Sequence, residues 1–123
     1  MYLAPELLSD SGFYSYQSDF WALGCLLVEM ASGKPPYAGD NTAEIKQAIS
    51  KQDTPQMKGL SPEFNQFLRM MLQKDPVGRA TWDDVRKHAW WSTPVVEKPV
   101  GQVAAAGGNA HFDFNKLLHQ TYS

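Results

Sequence analysis

The chain has 123 residues, of which 43% are hydrophobic and 20% are charged, and its formal net charge is -2 at pH 7. These values are typical of a single soluble globular domain, and the slight acidity argues against nucleic acid or an anionic membrane as a partner. Because the chain has one cysteine, Cys25, no disulfide framework can form within it, which favours a reducing compartment. We therefore expect a cytoplasmic protein.

The most apolar stretch, residues 20 to 31, contains Glu29 and is too short to cross a bilayer. The first six residues have neither the basic leader nor the apolar core of a signal peptide. We expect neither membrane insertion nor export.

The first predicted helix begins after Ser18, which is a good N-cap residue, and ends at Ser32 and Gly33, ahead of two prolines. Its apolar side chains point in every direction around the helix; they are Phe20, Trp21, Leu23, Leu26, Leu27 and Met30. Since a helix that is apolar all round is normally buried, we expect this one at the centre of the fold.

Two further helices are predicted by their caps. Asp40 or Asn41 caps a second helix that runs through Ile49, and Ser61 followed by Pro62 begins a third. The third helix has apolar residues at helical spacing, namely Phe64, Phe67, Leu68, Met71 and Leu72. That spacing predicts a stripe that faces a core.

A fourth helix is predicted by the capping box of Thr81 and Asp84. It leads toward the aromatic end of the segment, which contains Val85, His88, Trp90 and Trp91. No segment shows the alternation of a β-strand, so we expect a mainly α fold with no substantial sheet. Residues 1 to 93 would form this domain, residues 94 to 110 a flexible linker, and residues 111 to 123 a tail with at most one short helix.

Three separated motifs carry a family resemblance. They are A-P-E at residues 4 to 6, S-D-F-W-A-L-G-C at residues 18 to 25, and K-D-P-V-G-R at residues 74 to 79. In this order and spacing they resemble the C-terminal part of the large lobe of a eukaryotic protein kinase domain, over residues 2 to 91. With P-P-Y at residues 35 to 37, the pattern is most similar to the Unc-51-like and Fused serine/threonine branch.

The resemblance implies structural roles for five residues. Glu6 and Arg79 would form a buried ion pair that ties the end of the activation segment to the last helices; the alternative is two unrelated surface charges. Asp19 would anchor the catalytic loop of a longer parent, whereas in this chain it is expected to do no more than complement the helix dipole. Pro5 and Trp21 would pack against each other.

Glu29 corresponds to a position at which some kinases contact an arginine of the peptide substrate. We favour the alternative, a carboxylate satisfied by neighbouring chain. Cys25 is interpreted as a core residue rather than a nucleophile, because no base or cation is near it in the sequence. The histidines lack the spacing of metal ligands, so no metal site is expected; they are His88, His111 and His119.

The motifs that perform phosphoryl transfer do not occur in this sequence. It contains no G-x-G-x-x-G loop, no V-A-I-K lysine, no H-R-D loop and no D-F-G. We therefore assign no catalytic or cofactor-binding residue, and expect the chain alone to be inactive. ATP and magnesium are expected only for a full-length parent, whose reaction would be phosphoryl transfer from ATP to serine or threonine of a protein substrate.

Two hypotheses remain open. In the first, the chain is a fragment of such a kinase, because Met1 falls inside the activation segment; Phe20, Leu23 and Leu27 would then lose covering, and the chain would self-associate when expressed alone. In the second, it is a noncatalytic, pseudokinase-type interaction or regulatory module, which binds a protein partner through the helices after Asp40 and the loop around Gly59. The retained apolar residues favour the first.

Overall fold

The structure is a computed structural model that describes residues 2 to 10 and 12 to 94, so the predicted linker beyond Pro94 and the predicted tail lie outside the described residues. Short 3-10 helices occur at Pro5–Leu8 and Ala89–Ser92. Between them lie four α-helices, α1 (Tyr16–Ser32), α2 (Thr42–Lys51), α3 (Pro62–Met71) and α4 (Trp82–Lys87). The described part of the chain contains no strand, which confirms the mainly α fold class.

Helix α1 begins earlier than its sequence predicts. Its N-cap is Ser15 and its first residue is Tyr16, so the prediction that Ser18 is the cap was wrong. Ser18 lies in the first turn, where its Oγ accepts a hydrogen bond from the Ser15 N–H at 3.3 Å. The C-terminal end is as predicted, because Gly33 adopts a φ of 76° and donates its N–H to the Glu29 carbonyl at 2.7 Å.

The caps of α2 and α3 confirm the sequence prediction. Asn41, rather than Asp40, caps α2, and its Oδ1 accepts the Glu44 N–H at 3.0 Å. At the start of α3 the Ser61 Oγ accepts the Phe64 N–H at 3.1 Å. In each case the side chain satisfies a backbone donor that the helix itself leaves unpaired.

The predicted capping box opens α4. The Asp84 N–H donates to Thr81 Oγ1 at 3.2 Å, and the Thr81 N–H donates to Asp84 Oδ2 at 2.9 Å. The helix ends at Lys87, after which the chain turns into the second 3-10 helix. That turn is held by the Trp91 indole, which donates to the Val85 carbonyl at 2.6 Å.

The core lies where α1 packs against α3. One cluster of buried residues comprises Ala4, Trp21, Cys25, Val28, Tyr37, Ile49, Phe64, Leu68 and Leu72. A second comprises Phe20, Phe67, Met71, Ala80 and Val85. The Phe67 ring lies 5.0 Å from the Trp90 ring and 5.7 Å from the Trp91 ring, so the predicted apolar stripe of α3 also holds the end of the domain.

One face of α1 is exposed, so the prediction that this helix is buried on all sides was wrong. The exposed fractions of Leu23, Leu26 and Met30 are 39%, 44% and 42%. Phe20, by contrast, keeps its cover, because Trp82 packs edge-on against its ring at a centroid distance of 4.9 Å. We call the exposed face the α1 stripe; it comprises Tyr16, Leu23, Leu26 and Met30.

The close approach of α1 and α3 yields a stability prediction. A Cβ atom at Gly24 would lie 2.9 Å from the Leu72 side chain and 3.0 Å from Met71 Cβ. Overpacking of about 1–3 kcal/mol exceeds the gain of about 1 kcal/mol in helix propensity, so we expect Gly24→Ala to lower the free energy of unfolding by about 1 kcal/mol. The measurement is urea unfolding followed by circular dichroism.

The matched control for that experiment is Gly78→Ala. The nearest atom to a Cβ at Gly78 is the Asp75 carbonyl oxygen, at 3.8 Å. We expect this substitution to change the free energy of unfolding by less than about 0.5 kcal/mol. Equal losses for the two variants would contradict the packing argument.

Candidate functional site

The site is built around an ion pair between distant parts of the chain. Glu6 lies in the first 3-10 helix, and Arg79 lies in the loop between α3 and α4. The guanidinium binds the carboxylate with two hydrogen bonds, Nη1 to Oε1 at 2.7 Å and Nη2 to Oε2 at 3.0 Å. The Arg79 side chain is completely buried, and that of Glu6 is 10% exposed. The structure thus brings together the two residues for which the family resemblance implies an ion pair.

The remaining donors of Arg79 bind backbone carbonyls. Nη1 donates to Gln17 at 2.7 Å, Nε to Gln73 at 2.8 Å, and Nη2 to Lys74 at 3.4 Å. The guanidinium carbon also lies 5.2 Å from the centroid of the Trp21 ring, within the range of a cation–π contact. A buried cation is tolerated when its donors are satisfied in this way. Arg79 therefore joins the first 3-10 helix, the start of α1 and the segment after α3.

Ser18 completes the surroundings of the carboxylate. Its hydroxyl donates to Glu6 Oε1 at 2.9 Å. Burial alone would raise the pKa of the Glu6 carboxyl, but the hydrogen bonds from Arg79 and Ser18 outweigh burial and hold the pKa below its ordinary value of 4.5. The sequence interpretation missed this contact because it assigned Ser18 to the helix cap.

Asp19 lies apart from this cluster. It is exposed in the first turn of α1, where its carboxylate accepts a hydrogen bond from the Tyr14 hydroxyl. That hydrogen bond raises the pKa of the Tyr14 hydroxyl, since it stabilises the protonated form. The position in the first turn suits a carboxylate, because the helix N-terminus carries partial positive charge.

Trp21 is buried and makes a contact that the sequence did not predict. Its ring stacks on Tyr37, with centroids 5.6 Å apart and planes inclined by 10°. Pro5 begins the first 3-10 helix, and its packing against Trp21 stays a prediction. Cys25 lies in the same cluster as Trp21, and burial raises the pKa of its thiol to about 12, which agrees with a core role.

Glu29 lies near the C-terminal end of α1 and is half-buried. Its backbone carbonyl caps the helix by accepting the Gly33 N–H at 2.7 Å. Within the described residues its carboxylate takes part in no ion pair, so the favoured alternative, satisfaction by neighbouring chain, receives no support. The structure does not bring Glu29 to the Glu6–Arg79 pair.

The rest of the described surface offers few features. Residues 2 to 10 and 12 to 94 contain no group of three or more histidine, cysteine or acidic side chains that could hold a metal ion. In the same ranges, every helix is too short or too polar to span a membrane. A notch of about 210 Å³ lies beside Gly59; it is lined by Gln56, Met57, Lys58, Leu60, Pro62, Asn65 and Arg69.

Comparison with known proteins agrees with the three motifs. The sequence profile of the protein kinase domain family matches residues 1–91, and the chain belongs to that family. The serine/threonine-protein kinase RUNKEL of Arabidopsis thaliana is 38% identical over 95 residues, and the serine/threonine-protein kinase ULK4 of Mus musculus is 38% identical over 98. The serine/threonine-protein kinase fused of Drosophila melanogaster is 33% identical over 88 residues.

These similarities cover most of the chain but little of each relative. The matched segments are 76%, 74% and 72% of this chain, and 7%, 7% and 11% of RUNKEL, ULK4 and fused respectively. The chain therefore spans about a tenth of the length of these curated relatives. It matches the branch of serine/threonine kinases that its motifs resemble.

The buried ion pair predicts a large effect of mutation. We expect Arg79→Met to lower the free energy of unfolding by about 3–5 kcal/mol, because the Glu6 carboxylate would remain buried without its cation. The control is Arg86→Met, which removes a pair with Asp83 whose side chains are 74% and 65% exposed, and should cost less than about 1 kcal/mol. Urea unfolding of both variants measures the difference, and similar losses would contradict the role of burial.

The depressed pKa of Glu6 predicts a pH dependence. Since the folded protein holds the carboxyl pKa below its unfolded value of about 4.5, Glu6 stabilises the fold above that pH, and its contribution is lost as the pH falls through the folded pKa. We expect the urea midpoints of the wild type and Glu6→Gln to differ most at neutral pH, and the difference to shrink as the pH falls below 4.5 and through the lowered pKa of the folded state. A difference that is independent of pH would contradict this assignment. The pKa of Asp84 is also lowered, by its hydrogen bonds to Thr81, but Asp84 is common to both proteins.

Proposed function

We propose that this chain is the part of a serine/threonine protein kinase domain that holds the end of the activation segment in place. The parent would transfer a phosphoryl group from ATP to serine or threonine of a protein substrate. The observation that carries the proposal is the bidentate pair of Glu6 and Arg79, which joins the A-P-E segment to the loop after α3. The family membership of residues 1–91 supports it.

The Glu6–Arg79 pair is suited to a structural role rather than to direct participation in a reaction. The charges of Glu6 and Arg79 are buried against each other and against backbone carbonyls, so neither side chain is free to meet a substrate. Their effect on phosphoryl transfer in the parent would be to fix the backbone of the activation segment. In that parent they would act as positioning residues.

Asp19 would have a second supporting role in the parent. Family resemblance assigns it to the anchoring of the catalytic loop through hydrogen bonds from that loop's backbone. Its exposed carboxylate at the N-terminus of α1 is compatible with this role, since it is accessible to a neighbouring segment. Docking of the loop would have to displace or share the Tyr14 hydroxyl that the carboxylate binds here.

Alone, the chain would bind neither ATP nor magnesium and would transfer no phosphate. The sequence lacks the loop that covers the phosphates, the lysine that binds them and the acids that bind the metal. Glu29 keeps a proposed role in substrate binding only within the parent, where a peptide arginine could pair with its carboxylate.

A thermal shift experiment tests the inactivity of the chain. Because a ligand that binds the folded state raises Tm, we expect magnesium and ATP at millimolar concentration to leave the Tm of the 123-residue chain unchanged. Incubation with γ-labelled ATP and casein should give no labelled protein. A rise in Tm, or labelling above that of a sample without the chain, would contradict the proposal.

The size of the natural product tests the link to a parent. An antibody raised against residues 95 to 123 should detect, in source cells, a protein more than twice the 13.8 kDa of this chain. A single band at 13.8 kDa would overturn the kinase proposal for this product. It would favour a noncatalytic module that binds a protein partner, for which the notch beside Gly59 is the candidate surface.

We further infer that the chain self-associates when expressed alone. The α1 stripe exposes several large apolar side chains on a single helix face, and contiguous apolar surface of this kind promotes association. In a longer kinase domain, chain outside this segment would cover that face.

A further inference from the structure

Three hydroxyl residues of the chain are followed directly by proline. They are Thr54, Ser61 and Thr93. Proline has no backbone N–H, so an apolar pocket of another protein can bind it without leaving a donor buried and unsatisfied. A protein kinase with such a pocket beside its active site selects serine or threonine followed by proline. Each of the three hydroxyls is therefore a candidate phosphate acceptor, and the structure gives them different surroundings.

Thr54 lies in a segment that is bound to the core. Its hydroxyl is 3.5 Å from the carbonyl oxygen of Leu72, a residue that is 1% exposed. Three residues further on, the Met57 N–H donates to Asn65 Oδ1 at 2.7 Å, and the Met57 carbonyl accepts from Asn65 Nδ2 at 3.0 Å. Because phosphoryl transfer requires the acceptor oxygen to lie in line with the phosphorus, this segment would first have to leave the core.

Ser61 is occupied as the N-cap of α3. Its Oγ accepts the Phe64 N–H at 3.1 Å, and Pro62, the residue that the pocket would bind, is the first residue of the helix. Phe64 is itself buried, with 8% of its surface exposed. A kinase binds the residues around the acceptor in an extended form. Phosphorylation of Ser61 would therefore require the first turn of α3 to unwind and Phe64 to lose its cover.

Thr93 lies at the surface, directly after the second 3-10 helix. Its hydroxyl donates to the Ala89 carbonyl at 3.2 Å, in a hydrogen bond that is exposed to solvent. The backbone of Thr93 is extended, with φ of -71° and ψ of 127°, and its neighbours Ser92 and Pro94 are both exposed. Pro94 lies outside the helices, so it can enter a pocket without the unwinding that Ser61 requires.

We propose that Thr93 is a phosphorylation site for a separate, proline-directed serine/threonine kinase. The Thr93 Oγ1 attacks the γ-phosphorus of the ATP bound to that kinase. The new O–P bond forms as the bond between the γ-phosphorus and the β,γ-bridging oxygen breaks, ADP leaves, and the hydroxyl proton passes to the catalytic base of that kinase. Thr93 is the substrate in this reaction, so the proposal does not depend on any activity of this chain or of its parent.

Phosphorylation would loosen the end of the domain. The phosphorylated oxygen has no proton to donate, so the hydrogen bond to the Ala89 carbonyl is lost. A charge of about -1.5 to -2 is placed beside the last carbonyls of the 3-10 helix, where an anion is unfavourable. One of these carbonyls belongs to Trp90, which accepts the Thr93 N–H at 3.1 Å and packs on Phe67 at 5.0 Å. The phosphate therefore acts on the segment that joins the end of the domain to α3.

Phosphate mapping tests the site. The 123-residue chain is incubated with ATP and an active mitogen-activated protein kinase, a class that selects serine or threonine followed by proline, and the modified residues are identified by mass spectrometry. We expect phosphate to enter Thr93 at least about tenfold faster than Thr54 or Ser61, because those two require local opening first. Thr93→Val should remove most of the incorporated phosphate. An unmodified Thr93, or a Thr54 or Ser61 that reacts as fast, would overturn the proposal.

The matched control separates the fold from the preference of the kinase for a sequence. Three synthetic nonapeptides, of residues 50 to 58, 57 to 65 and 89 to 97, place the three acceptors in chains that have no tertiary structure. The rate in the whole chain divided by the rate in the peptide should be largest for Thr93. Equal ratios at the three sites would contradict the argument that the fold selects among them.

Hydrogen exchange tests the consequence. The amides of Trp91 and Thr93 donate to the carbonyls of His88 and Trp90, so their exchange rates report on the second 3-10 helix. We expect phosphorylation to raise both rates by about twofold to tenfold, which corresponds to the loss of one hydrogen bond. Thr93→Val removes the donor without adding charge and should have a smaller effect. Unchanged rates in the phosphorylated chain would overturn the loosening of the helix, whereas the mapping alone decides the site.

Discussion

The buried guanidinium of Arg79 is the contact on which the domain depends. It satisfies both oxygens of Glu6 and reaches carbonyls of Gln17, Gln73 and Lys74, so one side chain fixes segments that are far apart in sequence. A charge in this position costs several kcal/mol to bury and is tolerated only when every donor has a partner. The network therefore requires its segments to be in place together, which makes it a constraint on the backbone as much as a source of stability.

The two faces of α1 have different surroundings, since one is packed in the core and the other is exposed. On one face the absence of a side chain at Gly24 lets α3 approach closely, and the Trp21 ring contacts both the Tyr37 ring and the Arg79 guanidinium. On the other face Leu23, with its neighbours in the stripe, meets solvent. A helix with this composition needs cover on both sides. In the proposed kinase parent, chain outside this segment would cover the exposed face.

Capping residues in the sequence predicted most of the helix boundaries correctly, but the predicted start of α1 was wrong. Asn41, Ser61 and Thr81 cap their helices by accepting a backbone N–H three residues ahead, so sequence neighbours are sufficient to predict these caps. Ser15 and Ser18 are both good caps at the start of α1. In the structure Ser15 is the cap, and the Ser18 hydroxyl also donates to the Glu6 carboxylate, a contact that no local rule contains. The resemblance to kinases implied both partners of the ion pair. It did not predict that the remaining donors of Arg79 would bind backbone carbonyls.

The sequence by itself determined the helical class, the N-caps of α2, α3 and α4, and the motifs that identify the family. These depend on periodicity and on interactions within about four residues, which the order of amino acids contains directly. Tertiary structure alone decided that Trp21 stacks on Tyr37, that Trp82 covers Phe20 and that the α1 stripe is exposed. The apolar pattern of α1 is the same on every side, so it cannot specify which face will be covered. Coverage depends on which other segments are present to pack against the helix, and that is a property of the folded chain.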